Sequence, residues 1–359
     1  MSTADHLHAP GWWPTKGSEP RQHYVGSAAC AGCHAHTVQS QKTTQMANAS
    51  ARATPAAFAQ SGITGPLTFT VGDYRYEVSQ NADSSVYSAS DGTHSISTPL
   101  GWVFGNGHFG FTYVYEQKGT FYESNLSYYP LIKGLDFTPG HIRSAPAGLS
   151  DALGVPQTLD SVRMCFDCHA SAATTSNHFD PVQSIAGITC ESCHGPGAQH
   201  VATMTLANDN GNQTSTFALN PASLGPSDSV DFCGACHRTR GDILQVGLRG
   251  LATIRFPAYR LQDSRCWGSD GDARITCVAC HDPHRPLVED AASYDKNCLA
   301  CHALAGASTA AKDRPAPACT VARNLCVTCH MPKYEIPGLH GIFTDHKIAV
   351  RPKGEPFIE

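Results

Sequence analysis

The chain has 359 residues, of which 15% are charged and 8% aromatic, with 32 Gly and 23 Pro, a composition that favours loops over a large aliphatic core. A formal charge of -5 without any Lys/Arg run argues against nucleic acid or an anionic membrane surface as partner, and no apolar stretch approaches the roughly 18 residues of a membrane span. With 41% apolar residues, much of them Ala, part of the interior must be filled by something other than side chains, and the chain carries 16 Cys and 19 His.

In chain order, residues 1–61 read as an N-terminal arm and a first Cys-x-x-Cys-His motif, Cys30, Cys33 and His34. Met1 to Pro20 shows neither a basic n-region nor an apolar h-region, so an export signal is expected to have been removed, replaced by a starting Met, or to lie upstream. Residues 62–150 read as a β-rich insertion. Leu67, Phe69 and Val71 alternate with Thr, Gly72-Asp73 turns the chain, and Tyr74, Tyr76 and Val78 alternate with Arg75 and Glu77, which predicts a hairpin. Phe109, Phe111, Tyr113 and Tyr115 alternate in turn, Gln117 to Gly119 turns, and Phe121 to Leu126 returns as a partner strand. The expected sheet is small and antiparallel, a docking face or a cover for a neighbouring cofactor.

Residues 151–359 hold six more motifs. They are Cys165, Cys168 and His169; Cys190, Cys193 and His194; Cys233, Cys236 and His237; Cys277, Cys280 and His281; Cys298, Cys301 and His302; and Cys326, Cys329 and His330. Chance would supply about 0.04 copies at this Cys and His content, so the pattern is specific. Two thiols three positions apart can add to the two vinyl groups of one haem, and the next imidazole then ligates the iron. Zinc ribbons or disulfides are the bland alternatives, but neither explains a His directly after every second Cys. Seven covalent haem c groups are the expectation. Their attachment outside the cytoplasm points to the periplasm or the cell exterior.

Gly195-Pro196-Gly197, Pro221, Pro226, Asp282-Pro283 and Arg314-Pro315 interrupt this half, so only short helices at the motifs are expected. The predicted fold is α+β, mostly irregular, with short α-helices around the haems and a β-sheet inserted between haem sites one and two. Twelve His remain beyond the motifs, 19 - 7, to complete the iron spheres. His200 and His284 return on tight turns after their own motifs, His346 follows the last motif, and His108 stands between glycines. His141, His178 and His340 are further candidates, with His36, His23 and His94 behind them, and Met46 would give a thioether ligand that raises its haem's potential. His6 and His8 lie in the N-terminal arm. Cys266 and Cys319 belong to no motif, and they are expected to pair as a disulfide worth about 4 kcal/mol.

Several runs carry a family resemblance: Tyr24-Val25-Gly26-Ser27 before Cys30, Thr189 to Val201, Ser264-Arg265-Cys266, Thr276 to His284, and Cys329-His330-Met331-Pro332-Lys333. The chain resembles exported multihaem cytochromes of the tetrahaem cytochrome and hydroxylamine oxidoreductase superfamily. That resemblance implies closely packed, mostly bis-His haem pairs that conduct electrons. Departures are that no motif has Lys in place of its His, as in ammonia-forming nitrite reductases, and that seven motifs leave no eighth, Tyr-crosslinked haem as in hydroxylamine oxidoreductases. The first functional reading is an electron-transfer relay between redox partner proteins, a donor and an acceptor. The second is an oxidoreductase with one open-faced haem acting on a small nitrogen or sulfur compound. The third is a homo-oligomer or filament, a haem wire in which His6 or His8 ligates a neighbour's iron.

Overall fold

A computed structural model describes residues 19–105, 109–210, 218–267, 274–302, 319–351 and 357. The chain divides into two compact units. One is Pro10–Leu219 with Pro337–Gly341, and the other is built from Asn220–Ile336 and Ile342–Glu359. The division falls after Leu219, not near residue 150, so the first three motifs share a unit with the strands and the last four form the other.

In the strand-bearing unit, β1 (Ser50–Arg52) is followed by β2 (Leu67–Val71), β3 (Tyr74–Gln80), β4 (Ser85–Ser90), β5 (Ser95–Pro99), β6 (Trp102–Phe104), β7 (Phe111–Gln117), β8 (Thr120–Tyr129), β9 (Gly134–Phe137) and β10 (Gly154–Gln157). They make two antiparallel sheets where one small sheet is expected: β2-β3-β4-β5, and β1-β6-β7-β8-β10 with β9 also on β8. The hairpin forms in the expected register, Val71 opposite Tyr74. The second hairpin turns on two residues, Lys118 and Gly119, both at positive φ as a two-residue turn requires, and Gln117 already pairs with Thr120. Its first strand begins at Phe111, leaving Phe109 outside it and 40% exposed.

Period-two alternation sends Tyr76, Val78, Tyr87 and Ala89 from one sheet and Tyr113, Tyr115, Leu126 and Tyr128 from the other into a shared aromatic core. Helix α1 (Ser27–Gln41) carries the first motif, and α2 (Pro55–Gln60), capped by Thr54, buries Phe58 in that core. Trp102, Phe104, Val114 and Phe121 form a second cluster with Val162 and Phe166 of α3 (Leu159–His169), the helix of the second motif. The sheet is therefore the platform on which that motif rests. Helices α4 (Glu191–His194), which ends the third motif, and α5 (Ala198–Asn210) complete this unit.

The other unit has less apolar filling. Helices α6 (Pro226–His237), α7 (Arg240–Val246), α8 (Pro257–Gln262), α9 (Asp295–His302) and α10 (Cys326–His330) are short, and the fifth motif sits on a 3-10 turn, Cys277–Ala279. A capping box of Thr239 and Asp242 starts α7. The core found here is Val230, Ala258, Leu261 and Trp267, with Ile275, Cys277 and Ile348 against it. Every motif is thus on a helical turn, as the sequence predicts. No helix among the described residues is long and apolar enough to cross a membrane.

Candidate functional site: the cysteine and histidine constellation

First cysteines of different motifs meet in pairs. The side chains of Cys30 and Cys190, of Cys233 and Cys277, and of Cys298 and Cys326 lie close enough to interact with one another. Two of these pairs are clamped by the same device. Glu191, inside the third motif and 2% exposed, accepts the backbone N–H of Val25, Gly26 and Gly197, each at 2.8 Å, tying the start of α1 to α4. Asp295, at the start of α9, accepts the N–H of Leu325 at 2.7 Å and of Cys326 at 2.8 Å, tying it to α10. Both carboxylates satisfy donors that helix starts leave open.

The backbone N–H of Cys326, followed by its side chain and Leu325, holds the Asp295 carboxyl below the usual carboxylate range. A depressed carboxyl gives stability that is present above its ordinary value, about 4, and is lost as pH falls through its lower folded value. Asp295→Asn should therefore loosen the α9–α10 pair already at neutral pH, while the unmodified chain loosens only below about pH 4. Circular dichroism of the loaded protein in the Soret region between pH 7 and 2 follows this directly, and coincident profiles would contradict it.

Motif histidines are oriented by backbone carbonyls. Nδ1 of His169 lies 3.1 Å from the carbonyl oxygen of Ala49, Nδ1 of His194 2.7 Å from that of Leu219, and Nδ1 of His330 2.9 Å from that of Ala349. Donation through Nδ1–H leaves Nε2 as the ligating nitrogen. Ser50 Oγ donates to the carbonyl of His169 at 2.6 Å, and Phe104 meets that imidazole edge-on at 5.6 Å between centroids.

Two of the expected distal ligands face a motif histidine. The rings of His34 and His200 have centroids 6.5 Å apart, and those of His281 and His346 6.2 Å apart. Metal–imidazole bonds of about 2 Å on both sides of an iron, with ring centres about 1 Å further out, require roughly 6 Å, so both pairs fit a haem iron. At His34 the backbone leaves the helical region (φ -115, ψ 37), interrupting α1 at the motif histidine. His346 Nδ1 is 3.0 Å from the carbonyl of Thr344. Burial, then the neighbouring His281, pushes His346 down to about 4, so its imidazole is neutral and free to ligate through the physiological range. Burial lowers His281 as well.

Other expected ligands are placed differently. His141 spends both ring nitrogens inside the sheet unit, Nδ1 3.0 Å from Asn125 Oδ1 and Nε2 3.1 Å from Glu123 Oε2. His340 gives Nε2 to Asp136 at 2.6 Å and packs on Tyr129. Neither has Nε2 free in this arrangement, since a carboxylate acceptor was available that the sequence did not reveal. His178 lies exposed on a two-residue strand, and His284 lies 3.4 Å from Asp282 Oδ1. Met46 is partly buried, and its carbonyl accepts from Ile188 and Ala49. His6, His8 and His108 lie outside the described residues. The expected Cys266–Cys319 disulfide does not form. Cys266 sits beside Cys298 and Cys301, whereas Cys319 is an exposed thiol that accepts the N–H of Ala322. Among the described residues no three of His, Cys, Asp and Glu converge to hold a metal ion, so no tetrahedral set brings Cys298, Cys301, Cys326 and Cys329 together.

The family described as Cytochrome c554 and c-prime matches residues 145–195, the segment holding the second and third motifs. A solved structure, "Crystal Structure of Outer Cell Wall Cytochrome OcwA", is 14% identical, with 91% of this chain and 79% of that one covered at a TM-score of 0.49. No curated protein matches the chain.

Proposed function

We propose that the chain is an exported multihaem c-type cytochrome that carries seven haem c groups and relays electrons between partner proteins in the periplasm or at the cell surface. The observation that carries this reading is the three close approaches between first cysteines of different motifs. Haem supplies one-electron chemistry at each motif. The cysteines place neighbouring attachment points together, which matters because electron tunnelling falls off exponentially with separation. Glu191 and Asp295 hold two of those pairs in register. His34 with His200 and His281 with His346 fill both axial positions of an iron, which leaves it fit to exchange electrons and closed to substrate.

A second reading keeps one iron open, and the partition of histidines favours keeping it in view. Residues 220–336 and 342–359 hold four motif histidines but only His284 and His346 beyond them. Full saturation there calls on ligands from outside those two stretches, such as His6 and His8.

Carbon monoxide separates the readings. A saturated relay, reduced under argon and mixed with the gas, binds little of it and shows no high-spin charge-transfer band when oxidised. Rapid uptake of one or more equivalents per chain would favour an enzyme with an open haem.

A further inference from the structure

We propose that Arg351, with Arg260 beside it, holds a propionate carboxylate of the haem attached at Cys277 and Cys280; this rests on the haem reading above. Arg260 and Asp345 have fully buried side chains, and that of Arg351 is 4% exposed. Arg260 grips Asp345 with Nε at 2.8 Å and Nη2 at 2.7 Å, and Arg351 adds Nη2 at 2.8 Å. The Lys347 amide also donates to Asp345 at 2.9 Å, so that carboxylate is fully engaged.

Arg351 is not. Its Nη2 also reaches the Lys347 carbonyl at 3.4 Å, but its Nε and Nη1 are buried and meet no hydrogen-bond acceptor among the described residues. A guanidinium cannot shed its charge, and two buried donors left unmet are costly. Nε–H points to the Nη2 side of the planar guanidinium and Nη1 to the opposite side, so the two donors call for two separate acceptor oxygens against Arg351.

The place identifies the carboxylate. Asp345 precedes His346, the ring that faces His281 of the fifth motif. Arg260 belongs to α8, whose Ala258 and Leu261 form the core against which Cys277 packs. Two buried guanidiniums on the single carboxylate of Asp345 leave one positive charge uncompensated next to His346, and a propionate of the haem that His346 and His281 share supplies the missing anion. A fixed cation there disfavours the ferric state, and this haem has its potential raised accordingly.

The test is spectroelectrochemical titration of the loaded full chain and of Arg351→Gln, with intact mass counting haems in each. Arg351→Gln should keep seven haems while one couple of the seven moves to lower potential by at least tenfold in its reduction equilibrium, 59 mV for one electron. Arg351→Lys keeps the charge and loses the fork, so the same couple should move the same way by less; it carries the test if the Gln variant does not fold. Full haem load with all couples unmoved in the folded variant overturns the inference and leaves the haem reading standing. Wild-type chain without haem at Cys277 and Cys280 overturns the reading beneath it. An equal shift in Glu355→Gln or Glu359→Gln would give the fork a carboxylate of the chain, and so overturn the assignment to propionate.

Discussion

His346→Ala should open one haem in seven. Its ring stands 6.2 Å from that of His281, the ligation distance for a shared iron, and its Nδ1 faces the Thr344 carbonyl, which leaves Nε2 for the metal. Alanine offers no ligand, so the loaded variant should show a high-spin band for about one haem per chain and take up about one equivalent of carbon monoxide, against little in the unmodified protein. His200→Ala should do the same for the haem of the first motif. Loss of neither signal's baseline, with all haems low-spin in both variants, would mean that these ring pairs are not axial pairs.

Withholding haem should have an equally large but uneven effect. Among the described residues, the sheet unit has an apolar cluster of 18 buried residues from Ala53 to Leu153, whereas the cluster in the four-motif unit has four, with Ile243, Ile254 and Ile336 buried apart from it. Apolar burial of that small extent does not offset the entropy of ordering more than a hundred residues at about 1–2 kcal/mol each, so cofactor must supply the difference. Chain made without haem attachment should be cut by trypsin throughout 220–359 while a fragment containing 50–157 survives, mapped by mass spectrometry. Equal resistance of both regions would contradict this.

The motifs, the hairpin at Leu67 to Val78 and the strands at Phe111 to Tyr129 were legible because each rests on a local pattern: a fixed spacing, an alternation, a turn. The second sheet was less so. β1 is Ser-Ala-Arg and β10 is Gly-Val-Pro-Gln, segments that acquire strand character only from their partners β6 and β8. β4 and β5 are rich in Ser and Thr, with apolar side chains too few to announce a buried face. His200 and His346 were singled out by position after a motif and stand opposite motif rings, whereas His340, a further candidate, meets an acceptor, Asp136, 204 residues away. Glu191 is invisible as a clamp in sequence, because an acidic residue inside a motif carries no sign of the three amides that it accepts.

The central claim, that the motifs form one electron-transfer assembly, is tested most directly by anaerobic reductive titration of the loaded chain with a calibrated one-electron donor, read at the haem α-band. Seven motifs predict seven electrons taken up per polypeptide, all returned on reoxidation. Uptake of fewer than about six electrons by protein whose mass shows every cysteine pair loaded would contradict it.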